Sequence, residues 1–193
     1  MLIVLTAIAV IAGAALGYAN ELTAGPIAEN KAQQLADGIK AVMNADKVEV
    51  QHVDTVGTSV VYQTDSGMAV QAQDDNAFGG TLKILVGFDT AGTILGYRIL
   101  ETSETPGLGA KADKWFQKDG KGNIIGMSPA RNNMTVKREG GDVDAITAST
   151  ITSRAFLRAV NKAYAALTPG GADVQSGAST PHHDKHGKED NDE

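Results

Sequence analysis

The sequence of 193 residues contains no cysteine, which excludes a cysteine-ligated iron–sulfur cluster in this chain and leaves no thiol exposed to oxidation. Positive charge is also scarce, because 17 lysines and arginines stand against 23 acidic residues and give a formal net charge of −6. With an isoelectric point near 5.2, this balance argues against nucleic acid as a partner. The sequence also offers no catalytic acid–base pair, so we assign no catalytic residue.

The first nineteen residues lack any charged side chain. Leu, Ile, Val and Ala dominate Met1–Ala19, and as a helix this segment would be about 28 Å long, close to the hydrocarbon thickness of a bilayer. The alternative is a cleaved signal peptide, because Gly17-Tyr18-Ala19 resembles a cleavage site. No basic region precedes the apolar run, however, and the run is longer than most signal cores. We therefore predict a retained, single transmembrane helix.

The next part of the chain, residues 20–168, has the patterns of one α+β domain with an antiparallel or mixed sheet and packed helices. A helix is expected from Pro26 to Asn44, since proline suits a first helical turn. A closing helix is expected from Thr150 to Leu167. The remaining elements are a short helix at Ala112–Gln117 and strands at Val48–Val53, Ser59–Gln63, Met68–Gln73, Gly80–Phe88, Thr93–Glu101, Met134–Lys137 and Asp142–Ile146.

The last residues, 169–193, are rich in Pro, Gly, Ser, Asp, His and Lys and have almost nothing to bury. This composition predicts a disordered polar tail. The tail holds His182, His183 and His186, which could bind a transition metal weakly. A solvated tail explains them more simply, so we assign no metal site.

A run of hydroxyl-bearing and small residues, Asp144–Ser153, opens directly into the predicted closing helix. Taken alone, such a run is most often a set of helix caps, each worth about 1 kcal/mol. A helix N-terminus also favours a phosphate, because its first N–H groups lack partners and the helix dipole is positive there. The run is therefore a candidate phosphate site, with capping as the alternative.

A second segment, Glu101–Lys111, contains Pro106 between a stretch with two threonines and a stretch with two glycines. Pro106 fixes φ, and Gly107 and Gly109 permit positive φ, so residues 105–109 should form a tight loop with exposed backbone. The alternative is an ordinary turn between a strand and a helix.

Both segments, with the glycine-rich stretch Phe78–Tyr97 before them, resemble the RnfG/NqrC family, and the resemblance extends over about residues 1–168. It implies an FMN whose phosphate is esterified to Thr150 by a flavin transferase. The commonest family form has Gly and Ala before the modified threonine, where this chain has Ala148 and Ser149, both small. The resemblance further implies contacts with the flavin ring from Glu104, Thr105, Leu108 and Gly109. Hydrogen bonds or helix caps would come from Thr147, Thr152 and Ser153. Trp115 would be either a stacking partner of the ring or an ordinary aromatic residue.

The resemblance also implies a function: a membrane-anchored electron-transfer subunit of an ion-translocating ferredoxin:NAD oxidoreductase, without catalysis of its own. Its partners would be the other membrane subunits of that complex, and its soluble domain would lie outside the cytoplasm. Lys and Arg near the apolar segment are too sparse to indicate orientation. One alternative is the NqrC-type subunit of a Na⁺-pumping NADH:quinone oxidoreductase, although NqrC chains carry an additional extended region. Another is a scaffold protein with a merely structural Ser/Thr-rich loop.

Overall fold

A computed structural model of the chain describes residues 2–167, and the predicted polar tail with its histidines lies outside this range. The described residues form an α+β fold, as predicted from the sequence. Its elements, in chain order, are α1 (Leu2–Met43), β1 (Val50–Val56), β2 (Ser59–Thr64), β3 (Met68–Ala77), β4 (Gly80–Phe88), β5 (Ile94–Glu101), α2 (Ala112–Trp115) and α3 (Thr150–Ala165).

The five strands form one antiparallel sheet in the order β1-β2-β3-β4-β5, so each strand pairs with its neighbours in sequence. Successive side chains of a strand point to opposite faces of the sheet. Val70 and Ala72 accordingly belong to the larger core cluster that includes α3, whereas Ala69 and Leu85 belong to a smaller cluster that includes the end of α1. The sheet therefore lies between two helices, with α3 on one face and α1 on the other.

Two glycines allow the end of α1 to lie directly on the sheet. Gly87 and Gly96 are paired across β4 and β5, and a Cβ atom on either would come within 3 Å of the Val42 carbonyl oxygen. Val42, Ile39 and neighbouring apolar side chains of α1 are buried there. The glycine-rich double strand of the sequence thus serves as a docking face for α1.

The helix α1 is continuous from Leu2 to Met43, so the helix start predicted at Pro26 is wrong. A proline inside a helix removes one backbone hydrogen bond. The sequence on both sides of Pro26 is rich in alanine, the strongest helix former, and this favours continuation of the helix through the proline. Within α1, Ile3–Thr23 is long and apolar enough to cross a membrane, a test that a signal sequence near the N-terminus also passes.

The strands predicted at Met134–Lys137 and Asp142–Ile146 are not formed. Only a single parallel bridge joins Val136 to Val143, and a 3₁₀ turn occupies Lys137–Glu139. The reason is local hydrogen bonding, because the backbone N–H of Asn133 donates to the Asp142 carboxylate at 2.8 Å. Such side-chain bonds compete with a strand ladder, and this segment covers the core as an ordered loop.

An aromatic cluster connects α3 to the region after β5. The Phe156 ring stacks on Phe116 with centroids 4.3 Å apart, and Tyr97 meets Phe156 edge-on at 4.8 Å. The Tyr97 hydroxyl donates to the Ala112 carbonyl oxygen at 2.5 Å. Burial raises the pKa of Tyr97 above its usual value, so the hydroxyl stays protonated as a donor that fixes the start of α2.

A buried carboxylate ties α3 to the sheet. The Asp74 side chain, on β3, is 1% exposed and accepts hydrogen bonds from Arg158 Nε at 3.0 Å and Nη2 at 2.8 Å, and from Lys162 Nζ at 3.1 Å. Burial opposes ionisation, but the bonds from Arg158 and Lys162 outweigh it and hold the pKa of Asp74 below its usual value. These bonds of Asp74 with Arg158 and Lys162, which we call the Asp74 clasp, fix the position of α3 and therefore of its N-terminus.

Candidate functional site

The loop that precedes α3 is a tight turn built from the hydroxyl-rich motif. The Ser149 N–H donates to the Ile146 carbonyl oxygen at 3.0 Å, and Ala148 takes the left-handed conformation with φ +63°. Glycine is favoured at a turn position with positive φ, because any Cβ atom is strained there. A glycine would take this conformation without strain, so Ala148 is held in place by the turn around it.

Two hydroxyls of the motif are engaged inside the protein. Ser153 Oγ donates to the Ser149 carbonyl oxygen and accepts from the Ile146 N–H, both at 2.9 Å, so it fastens the turn to the first turn of α3. Thr152 Oγ1 donates to Glu104 Oε2 at 2.9 Å. Both side chains are buried, so they shape the loop from beneath.

The start of α3 remains without a side-chain cap. Ser149 occupies the N-cap position and makes no capping hydrogen bond with its side chain. Thr150, the first helical residue, is partly exposed, and its hydroxyl has no hydrogen-bond partner among residues 2–167; Thr147 and Ala148 beside it are exposed. The first N–H groups of a helix have no intrahelical acceptor, which leaves them available to an anion at this end.

The proline- and glycine-containing loop has the tight form expected from its sequence. The N–H groups of Leu108 and Ala110 both donate to the Thr105 carbonyl oxygen, at 3.1 and 3.3 Å. Gly107 has φ +78°, whereas Gly109 does not have positive φ, so the expected reason for Gly109 is wrong. Gly109 is instead required by space, since a Cβ atom there would lie 2.1 Å from Glu104 Oε2.

Glu104 joins three segments at one buried carboxylate. The side chain accepts from the Gly79 N–H at 3.1 Å on one oxygen and from the Thr152 hydroxyl on the other. Residue 104 is 8% exposed, and its carboxylate contacts the Gly109 backbone position as described above. The two motifs, 48 residues apart between Glu104 and Thr152, therefore meet directly in the folded protein.

Trp115 lies on the wall of an open groove on this part of the surface. The groove has a volume of about 550 Å³, within the range of small-molecule sites. The Trp115 indole N–H donates to the Asp144 carbonyl oxygen at 2.9 Å, so it also anchors the head of the hydroxyl-rich motif. The groove is lined by Pro106, Gly107, Ala110, Lys111, Asp113, Lys114, Trp115, Asp119, Gly120 and Lys121.

Sequence reasoning assigned no role to Phe78 or Ile151, which stand beside this site. Phe78, 69% exposed, precedes the Gly79 that binds Glu104, and Ile151, 50% exposed, follows Thr150. An aromatic residue before two glycines at a hairpin is a signal that could have indicated Phe78. As for metals, residues 2–167 contain no group of three or more His, Asp or Glu side chains arranged to hold an ion.

Residues 78–165 match the family model of the FMN-binding domain. The matched segment begins at Phe78 and includes both motifs and all of α3. The uncapped helix start and the partly exposed Thr150 provide donors suited to a phosphate. Fold, site and match together define the chain as a protein with an FMN-binding domain.

Curated relatives give a narrower assignment. The chain is 32% identical over 184 residues to the G subunit of the ion-translocating oxidoreductase complex of Aliivibrio fischeri, covering 84% of this chain and 86% of that protein. It is 29% identical over 181 residues to the corresponding protein of Shewanella amazonensis, covering 83% of each, and 37% identical over 118 residues to that of Escherichia coli K12, covering 57% and 56%. The chain belongs to this family of complex subunits, RnfG, and the predicted resemblance is confirmed.

Proposed function

We propose that this chain is a membrane-anchored electron carrier whose FMN is held by a phosphoester bond to Thr150. The single observation that carries the proposal is the position of Thr150. Its partly exposed hydroxyl stands at the uncapped start of α3 and has no partner among the described residues. The N–H groups and dipole of that helix end stabilise a phosphate. When bound, FMN supplies the redox chemistry by accepting and donating electrons.

Attachment requires a second enzyme, because a threonine hydroxyl is a poor nucleophile. A flavin transferase would supply an activated flavin donor. The Thr150 oxygen then forms the new bond to phosphorus, its proton is removed, and the donor's leaving group departs with the electron pair of the bond that breaks. The exposure of Thr147 and Ala148 supports access for such an enzyme to this loop.

The protein's part is to hold the cofactor. Glu104 and Gly109 keep the proline-containing loop against Thr152, which supports ring contacts from Thr105 and Leu108. The Asp74 clasp keeps the N-terminus of α3 fixed relative to the sheet. A covalent bond would prevent flavin loss from a site that must remain open to redox partners.

The proposal includes the place of the domain in a larger assembly. Relatives are named as subunits of an ion-translocating oxidoreductase complex, so we propose that the other subunits of such a complex are the redox partners. Met1–Ala19 would be the retained anchor, supported by the apolar stretch Ile3–Thr23, with residues 20–168 as the FMN-binding domain outside the cytoplasm and 169–193 as a polar tail. Membership in the RnfG family supports this assignment over the NqrC-type alternative.

The test is flavin fluorescence in a denaturing gel under ultraviolet light, using the full chain coexpressed with a flavin transferase. A fluorescent band is expected for the unmodified sequence and for Thr147→Ala, a matched control in the same loop. Thr150→Ala should keep the fold and give no fluorescent band, whereas Thr150→Ser should be labelled in part because its oxygen remains. A dark band for the unmodified sequence would instead support the scaffold alternative.

A further inference from the structure

The strand β1 forms an open edge of the sheet. Among residues 2–167 it pairs only with β2, and all seven of its residues are exposed. An edge strand offers unpaired N–H and C=O groups to another strand, and proteins usually protect such an edge with charge, proline or a covering segment. Asp54 is the one acidic residue of β1, and the strand contains no proline, lysine or arginine. The edge is therefore open to pairing with a further strand.

The backbone groups at the centre of β1 point away from β2. The Thr55 N–H donates to Asp54 Oδ1 at 2.8 Å, so it faces the open edge. In an antiparallel strand the backbone groups of alternate residues point the same way, and Val53 therefore presents its own N–H and C=O to the open edge. A bulge lies between Val50 and His52, but the pairs that follow it continue in register. The centre of the edge is thus a regular, unpaired ladder.

The sequence of β1 is complementary to itself in antiparallel order. When a second copy is turned end to end about Val53, that residue faces its own copy, and His52 faces Asp54. The imidazole N–H of each strand then meets the carboxylate of the other, twice by symmetry, and such cross-strand pairs stabilise a sheet. The flanking pairs match polar with polar and apolar with apolar: Gln51 with Thr55, and Val50 with Val56.

We infer that β1 is the docking strand for β1 of a second copy of this chain, so that two five-stranded sheets join into one antiparallel sheet about a two-fold axis at Val53. A two-fold interface uses the same patch on both copies and therefore requires a self-complementary strand. One strand pair is smaller than the roughly 1,200–2,000 Å² of a stable interface. The inference therefore takes the membrane anchor from the proposed function, because confinement to one membrane raises the effective concentration of the two copies.

The twist of the sheet allows both anchors to enter the same membrane. Val42 lies on Gly87 and Gly96, and an added Cβ at Gly38 would lie 3.2 Å from Leu85, so α1 runs along β4 and β5. The two-fold axis of two paired edge strands stands perpendicular to the sheet at β1. Adjacent strands rotate by about 20–25°, so the steps from β1 to β4 and β5 turn the sheet normal by roughly 60–100°. This rotation brings the axis close to the direction of α1, and the two α1 helices then leave the pair on the same side.

The test uses single cysteines, because the chain contains none. The full chain in membranes is oxidised with copper phenanthroline, and the dimer fraction is read from a non-reducing gel. Val53→Cys should form a disulfide-linked dimer, because paired Cα atoms about 5.5 Å apart lie within the range of a disulfide. The matched controls are Gln51→Cys and His52→Cys, two exposed positions of the same strand. They should stay monomeric, because in this register each lies about 14 or about 8 Å from its own copy, beyond the limit of about 7 Å.

A second set of variants tests the side-chain match in the Val53→Cys chain. His52→Asp places two carboxylates opposite each other, and Asp54→His places two imidazoles opposite each other. Each should lower the ratio of crosslinked to free chain by about two- to tenfold, the scale of two cross-strand pairs. The double swap of His52 and Asp54 keeps both pairs and should restore crosslinking. Both positions are exposed, so each variant should fold, which circular dichroism establishes.

Equal crosslinking at Gln51 and Val53, or crosslinking at neither, overturns the inference. Crosslinking at His52 without Val53 overturns the register, and a double swap that does not recover overturns the pairing of His52 with Asp54. Sedimentation of the unmodified chain with membranes tests the anchor separately. A chain that stays in the soluble fraction contradicts the anchor of the proposed function, and the cysteine pattern still decides whether β1 pairs with its copy.

Discussion

A single methyl group at residue 109 should disturb the junction between the two motifs. The added carbon of Gly109→Ala would lie 2.1 Å from Glu104 Oε2 and 2.8 Å from Thr152 Oγ1. The carboxylate must therefore move and give up its bonds from Gly79 and Thr152. Hydrogen bonds to a charged group contribute about 1.5 to 3 kcal/mol each. We expect a loss of about 2 to 4 kcal/mol in unfolding free energy, since the displaced carboxylate regains water.

The assay is urea unfolding of the full chain in detergent, followed by the fluorescence of Trp115, the only tryptophan. A double-mutant cycle isolates the mechanism. In the Glu104→Ala background the closest obstacle is removed and only the Thr152 hydroxyl, now without its acceptor, has to move, so Gly109→Ala should cost about 1 kcal/mol or less there. Gly107→Ala is the control, because Gly107 has φ +78° and no atom within 4 Å of an added Cβ. It should cost about 1 kcal/mol in both backgrounds.

Additive effects of Gly109→Ala and Glu104→Ala on the unfolding free energy would refute this reasoning. If Gly109→Ala costs the same with and without the Glu104 carboxylate, within about 0.5 kcal/mol, then Glu104 does not determine the need for glycine at this position. An equal coupling for Gly107→Ala would also refute it, because that residue touches neither partner.

Three further predictions concern the clasp, the turn and the anchor. Asp74→Asn should lower the unfolding free energy at pH 7 by about 1 to 3 kcal/mol. Because the pKa of Asp74 is depressed in the folded protein, the difference in unfolding free energy between the variant and the unmodified protein should shrink as the pH falls below about 4. An equal difference at about pH 2.5 would contradict this prediction. Ala148→Gly should raise the unfolding free energy by about 0.5 to 1 kcal/mol, as relief of left-handed strain exceeds the added chain entropy; a loss on urea unfolding would count against the strained turn. The mature protein should retain Met1–Ala19, and intact-mass measurement showing Asn20 as its N-terminus would exclude the anchor.

The parts of the fold that sequence predicts well are those with local patterns. The hairpin of β4 and β5 carries strand residues on both sides of a turn signal at residues 89–92, and its bounds agree with the prediction to within one residue. The start of α3 at Thr150 also agrees, because small and hydroxyl-bearing residues precede an apolar helical pattern.

The errors arise where one local signal is outweighed by neighbouring residues. The loop before α3 reads as strands, yet the bond from Asn133 to Asp142 and the left-handed Gly140 set its path. The helix α1 continues through Pro26, where composition on both sides favours a helix. The proline signal at Pro26 and the strand-like pattern of the loop each weigh less than the prediction assumes.

The candidate site also has parts that the sequence indicates and parts that only the structure shows. The sequence indicated both motifs, but it gave no sign that Glu104 would bind Thr152 across 48 residues or that Asp74 would bind Arg158 across 84. Side-chain partners at such separations depend on the completed sheet and helix packing.

The most direct test of the central claim is peptide mass spectrometry of the full chain coexpressed with a flavin transferase. The account predicts an FMN-sized mass addition on Thr150 and its loss in Thr150→Ala. Addition on Thr147 or Thr152 would contradict the assignment of the residue, and no addition on any peptide would contradict the covalent carrier itself.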